Sequence, residues 1–167
     1  ADSDLLASLD FDNVAAGATG TIVDDTTGTK ATINGAAAVA TSKDGTAAVR
    51  LGSGFWLNVT KSDDSAVLKG LDAVTISYDS KSASTNQGWS VFAAPNTNAQ
   101  TYQQEHYLGV MDRTTSVNVE RYNNAGKRDT TGNVSKDGLA SQWRHVDLVI
   151  DEAASTLYID GEQAATV

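Results

Sequence analysis

A chain of 167 residues, 40% hydrophobic and 7% aromatic, is the size of one all-β sandwich and long enough to bury a core. Its formal net charge of -9 argues against nucleic acid, whose recognition needs a basic surface to release phosphate counterions. Cysteine is absent and His106 and His145 are the only histidines, which excludes thiolate catalysis, zinc fingers and iron–sulfur clusters; no apolar run is long enough for a membrane span.

From Asp4 to Asn13 the chain reads DLLASLDFDN, and Leu9 and Phe11 alternate with Ser8, Asp10 and Asp12, which predicts a first strand. Residues 14–30 are small and polar around Ile22-Val23, a loop carrying a short strand. Asn34-Gly35 at the centre of Ala31 to Ala40 predicts a hairpin, and Asp44-Gly45 a further turn before Ala47 to Leu51. In GSGFWLNV, Phe55, Leu57 and Val59 share one face of a strand, Trp56 and Asn58 the other. Ser62 to Gly70 is the one helical expectation: Ser62 as cap, Asp63 and Asp64 at the positive end of the dipole, Gly70 at the exit.

Val74, Ile76 and Tyr78 predict a strand, and Trp89 to Ala94 a central one ended by Pro95, the only proline. Residues 96–106 (NTNAQTYQQEH) read as a long polar loop. Three more strands follow at Tyr107 to Met111, Val117 to Tyr122 and Lys127 to Val134. The strongest pattern runs from Gln142 to Gly161. Val146, Leu148 and Ile150 alternate with polar residues, Glu152 to Ser155 link, Leu157 and Ile159 alternate again, and Asp160-Gly161 supplies a tight turn. Short strands with turn residues between them, and neither internal repeat nor linker, predict one antiparallel β-sandwich over residues 1–167 with at most one short helix.

The Trp143-Arg144-His145-Val146 strand followed by Leu157-Tyr158-Ile159-Asp160-Gly161 resembles the signature hairpin of laminin-G-like jelly rolls in the concanavalin A-like lectin/glucanase superfamily. The opening LDFDN, AVRLGSG, LKGLDAVTISY, WSVFAAPNTN, YLGVMD and VNVERYNNAGKR extend the resemblance over nearly the whole chain, towards modules of bacterial secreted glycoside hydrolases. The resemblance implies a jelly roll, usually noncatalytic and carbohydrate-binding, in some members with a calcium ion. It also implies a closing strand of the type Asp-x-Phe-x-Ile-Tyr-Asn beside the first strand. This sequence stops at Val167 without one, which would leave Leu9 to Phe11 at an edge.

Glycoside hydrolysis on this superfold needs paired carboxyls, about 5 Å apart in retaining enzymes, typically from Glu-x-Asp-x-Glu or Glu-x-Asp-x-x-Glu. Neither motif occurs, nor does Gly-x-Ser-x-Gly for a serine nucleophile, so Asp147, Asp151 and His145 read as ordinary strand residues. Sugar recognition needs aromatic faces to stack on and planar polar groups to bond hydroxyls. The loop before residue 108 supplies Tyr102, Glu105, His106 and Tyr107. If Val117 and Val119 face the core, the next strand turns Asn118, Glu120 and Tyr122 outward, and Arg113 and Arg121 add cations. Asp10, Asp12, Asp24 and Asp25 lie near one another in sequence and are the candidate oxygen ligands for calcium.

The expectation is a noncatalytic, lectin-like carbohydrate-binding module of a bacterial extracellular glycoside hydrolase. Its partners would be a polysaccharide or glycan and the linked catalytic domain, with no nucleic acid and no membrane span. The alternative is a structural module that packs on a catalytic domain without binding sugar.

Overall fold

A computed structural model describes residues 5–12, 14–24, 26–35, 38–41, 44–50, 56–82, 90–93, 107–122, 127–136, 139 and 142–167; of residues 38–41 and 92 it describes the backbone. Every regular element among them is a β-strand, and every described strand pairing is antiparallel. The chain divides into two compact units, Ala1–Gly70 and Leu71–Val167.

In the first unit, β1 (Gly20–Val23), β2 (Lys30–Asn34) and β5 (Trp56–Thr60) form a sheet in the order β1-β2-β5. A separate ribbon joins β3 (Ala38–Thr41) to β4 (Ala47–Arg50). Ile33 is buried among Val14, Ala18, Ile22, Val49 and Leu57, and strict alternation leaves Thr32 and Asn34 on the opposite face.

Three expectations change here. Residues 5–12 form no strand: the Ser8 N–H is met by the Thr27 and Thr29 hydroxyls instead of a ladder of carbonyls. Asn34-Gly35 does not close a hairpin, because β2 spends both edges on β1 and β5 while β3 pairs with β4 around Asp44-Gly45. Residues 62–70 are turns, not helix. Asp64 sits at φ 67, where a right-handed helix cannot pass, and the Asp63 carboxylate accepts from the Ser65 N–H and hydroxyl. Those two bonds hold the Asp63 carboxyl below its ordinary range.

The second unit is a sandwich of two sheets. One contains β7 (Val91–Ala93), β8 (Leu108–Asp112), β9 (Ser116–Tyr122), β10 (Arg128–Thr130) and β11 (Val134–Ser135). Its order is β10-β9-β8-β7, with β11 also on β9. The expected single strand at 127–134 is therefore broken in two. Where it breaks, Thr131 bonds Val119 through both its backbone N–H and its hydroxyl. β7, the described part of the strand expected at Trp89 to Ala94, pairs with β8 and ends the described order of this sheet. Pro95 and the 96–106 loop lie outside the described residues.

The other sheet orders β14 (Glu162–Thr166), β13 (Ser155–Ile159), β12 (Arg144–Ile150) and β6 (Val74–Ser80). The predicted hairpin is present, Val146 opposite Ile159 and Leu148 opposite Leu157, with Ser155, expected in the link, already paired in β13 opposite Ile150. Asp160 and Gly161, at φ 52 and 82, make the two-residue turn into β14, a strand the sequence reading did not foresee. Val110, Val117 and Val119 of one sheet meet Val146, Leu148, Leu157 and Ile159 of the other in a single buried cluster. Burying seven such side chains, at roughly 1.5–3 kcal/mol each, is what holds the two sheets face to face.

One polar residue sits inside that cluster's margin. Arg144 is fully buried, and its guanidinium donates to the carbonyls of Arg113, Thr114 and Leu139 at 2.6, 3.0 and 2.8 Å. The Asp112 carboxylate lies 3.8 Å away and accepts a 2.8 Å bond from the Tyr78 hydroxyl. Burial pushes the Asp112 carboxyl up, and burial together with the Asp112 charge pushes the Tyr78 phenol up.

Candidate functional site

With Val117 and Val119 in the core, the alternation of β9 turns Asn118, Glu120 and Tyr122 to the outer face of its sheet. The register of β10 adds two residues to that face. Arg128 stands opposite Tyr122, and Thr130 opposite Glu120. Directly opposed antiparallel residues place their side chains on the same side, with Cβ atoms about 5 Å apart, so these four form a square patch. Local sequence could not supply Arg128 and Thr130, because their membership depends on which residue of β10 faces which residue of β9.

Tyr107 flanks Tyr122 on the β8 side and is buried, so it braces the patch rather than contributing a stacking face. It is 6% exposed, its ring centroid lies 4.9 Å from that of Tyr122, and its hydroxyl donates to Glu120 Oε2 at 2.8 Å. Burial, then the bond to the Glu120 carboxylate, raises the Tyr107 phenol, which keeps it a donor at any ordinary pH. Its bond fixes the carboxylate. Glu120 Oε1 has no hydrogen-bond partner among the described residues and is left as an oriented acceptor. Arg128 is exposed and supplies donors; Tyr122 is half-buried and supplies an apolar ring. Asn118 is buried, its amide oxygen accepting from the Thr130 hydroxyl at 2.9 Å, so it braces the patch instead of lining it.

The two arginines named with this patch serve elsewhere. Arg121 faces inward and donates to the Ser155 hydroxyl and the Asp151 carbonyl, tying one sheet to the other. Arg113 donates to Asn133 Oδ1. Tyr102, Glu105 and His106 lie outside the described residues.

Of the candidate calcium ligands, Asp10 and Asp24 line one cavity of about 260 Å³ in the first unit, with Ile22 and Ile33 among its walls. Asp24 is buried, and its Oδ2 accepts from the Thr26 N–H, the Thr27 N–H and the Thr27 hydroxyl. These bonds, that from the Thr27 N–H foremost, lower its carboxyl and make it the anchor of the 24–29 turn. Asp12 accepts from the Ala47 N–H at 3.3 Å, and Asp25 lies outside the described residues. Among the described residues no three of His, Cys, Asp and Glu are grouped to hold a metal.

His145 gathers a second set of charges on the outer face of the β14-β13-β12-β6 sheet. Its Nδ1 is 2.8 Å from Asp79 Oδ1 and its Nε2 is 3.1 Å from Asp147 Oδ1, while the Ser77 hydroxyl donates to Asp147. The hydrogen bond to Asp79, then the Asp147 charge, raises the imidazole. The carboxylates lie at opposite ring nitrogens, so they do not converge on one point. Ser77 bonds a carboxylate and not the ring, so it is not placed as a nucleophile for this imidazole. Asp151, for its part, accepts from the Ala153 and Ala154 N–H groups and closes its own turn, which lowers its carboxyl.

No helix among the described residues is long and apolar enough to cross a membrane. No protein-family model matches the chain, and no curated protein matches it either.

Proposed function

We propose that this chain is a noncatalytic carbohydrate-binding module, laminin-G-like in kind, from a bacterial extracellular glycoside hydrolase. The observation that carries the reading is the patch on β9 and β10: the Tyr122 ring with a fixed acceptor at Glu120 on one side and the Arg128 donors on the other. A sugar presents an apolar face edged by hydroxyls that both donate and accept, and the patch offers the complement of each. A shallow site of this kind, open to water, gives millimolar to micromolar affinity, roughly 4–8 kcal/mol. Its role would be to hold a linked hydrolase at its polysaccharide.

Calorimetric titration of the chain with glycans chosen from an array screen tests this. Tyr122→Ala is expected to weaken binding about tenfold or more, equivalent to roughly 1.4 kcal/mol, with the thermal unfolding curve preserved. A folded wild-type chain that binds no glycan on the array would sink the reading.

A second reading rests on a separate observation. Leu5, Leu6, Val23 and Val59, all in the first unit, are exposed to 42–56%. Val23 lies on the Thr21 face of the β1-β2-β5 sheet and Val59 on the other, and exposed apolar side chains on either face favour a structural module that packs on a catalytic domain. Co-purification of that domain with a Val23→Ser, Val59→Ser variant, as tightly as with wild type, would dismiss it.

A further inference from the structure

Trp56 opens β5 with 53% of its surface exposed, the one large aromatic among the exposed apolar residues described. A tryptophan gains more from burial than almost any side chain, so one left bare on a regular strand calls for a partner. Its surroundings identify the kind. Asn34 of β2 lies directly opposite Trp56; one row further, Asn58, Thr32 and Thr21 stand side by side across the three strands. Alternation puts all five on one face and sends Ile22, Ile33 and Leu57 to the other, where the core is. Strands about 4.8 Å apart spread this row over roughly 10 Å, with an indole ring at one corner.

The electrostatics of the face are as informative as its aromatic. In a chain of net charge -9, the neighbours of Trp56 here are amides and hydroxyls. The next row holds Val23, 56% exposed, and Lys30, whose ammonium is engaged by Asp64 at 3.1 Å. An anionic ligand would find no unpaired cation on the face among the described residues. An apolar protein surface would have to desolvate two amides and two hydroxyls around one ring, a losing exchange. A neutral chain of sugars meets neither obstacle: a pyranose face covers the indole, and hydroxyls meet groups that donate and accept. Among the described residues neither the Trp56 indole N–H nor the Asn58 amide has a hydrogen-bond partner, whereas the Asn34 amide donates to the Thr32 carbonyl at 3.5 Å and the Thr21 and Thr32 hydroxyls bond each other at 3.3 Å.

We propose that the Trp56 face of the β1-β2-β5 sheet is a second carbohydrate-binding surface, taking about two units of a neutral polysaccharide by stacking on Trp56 and hydrogen bonding to Asn34, Asn58 and Thr32. It rests on the preceding reading for the class of ligand alone, since its residues lie on a different sheet in the other unit.

The test uses the full chain against soluble arabinan and β-glucan as neutral chains and polygalacturonate as an anionic one. Binding is followed by calorimetry and by tryptophan fluorescence, in wild type and in Trp56→Ala, Asn58→Ala and Tyr122→Ala. Both substitutions on the face are at exposed positions, and the unfolding curve of each checks the fold. Expected are a tenfold or greater loss on a neutral chain for Trp56→Ala, a smaller loss for Asn58→Ala, and residual binding in Tyr122→Ala. If Tyr122→Ala abolishes binding while both variants of the face bind as wild type, the second surface does not exist and the first reading survives. If wild type binds none of the three chains, the second surface falls. If Trp56→Ala converts a dimer to a monomer in sedimentation, the face is an interface between copies and the proposal is overturned.

Discussion

Replacing Asp112 by alanine is the most direct probe of the polar network in the sandwich. The residue is 8% exposed, accepts from the Tyr78 hydroxyl at 2.8 Å, and is the carboxylate 3.8 Å from the fully buried Arg144 guanidinium. Removing one partner of a buried ion pair costs about 3–5 kcal/mol, because the other charge stays behind without compensation. The geometry places this case at the lower end. The ion pair is long, and Arg144 keeps its bonds to the carbonyls of Arg113, Thr114 and Leu139. Stranding the Tyr78 hydroxyl adds to the loss, so a total of about 3 kcal/mol follows. In urea, at about 2 kcal/mol/M, the unfolding midpoint of this unit falls by roughly 1.5 M. Fluorescence of Trp143, one residue before Arg144, follows the transition, with unchanged slope as the sign that two-state behaviour holds. Tyr78→Phe takes that donor from the Asp112 carboxylate but leaves the carboxylate beside Arg144, and should cost less, about 1.5 kcal/mol. A midpoint shift in Asp112→Ala no larger than in Tyr78→Phe would refute the claim that the buried guanidinium depends on this carboxylate.

The remaining expectations are smaller in scale. Asp24→Ala removes three bonds from a buried carboxylate and should destabilise the first unit by about 1.5–3 kcal/mol, read as a lower urea midpoint by Trp56 fluorescence. Because the folded-state carboxyl of Asp24 is depressed, its contribution is present above the unfolded value and is lost as pH falls through the folded one; the deficit of Asp24→Ala should shrink in acid. For His145 the sign is opposite. Its folded-state value is raised, so the stabilisation is complete below the unfolded value near 6.5 and fades as pH climbs through the folded value. An NMR titration should place the His145 midpoint above 6.5, and Asp79→Asn should lower it; an unmoved midpoint in that variant would remove Asp79 as the cause.

How much of this could be read from the chain depends on the range of the interaction. The 142–161 hairpin was legible because alternation of Val146, Leu148, Leu157 and Ile159 is a property of neighbours, and Asp160-Gly161 accepts positive φ at small cost. The outward turn of Glu120 and Tyr122 was legible for the same reason. Residues 5–12 alternate just as well, yet no ladder receives them, and Asp64 at φ 67 overrules capping residues that would start a helix elsewhere. Asn34-Gly35 carried a strong hairpin signal that lost to the pairing of β2 with β1 and β5, a choice made among residues as far apart as Lys30 and Thr60.

The sequence by itself determined the strands around Val74, Leu108, Val117, Val146 and Leu157, the Asp160-Gly161 turn and the face to which each side chain of β9 and β12 points, since all follow from steric preferences within a few residues. Tertiary structure alone decided the rest. That Arg144 is buried, that Arg121 ties the sheets together, and that Tyr107 is a strut are facts about what lies across a sheet or between two of them. So are the partnerships of Tyr122 with Arg128 and of Trp56 with Asn34, because strand register is set by the summed burial of whole strands and leaves no mark on any one residue.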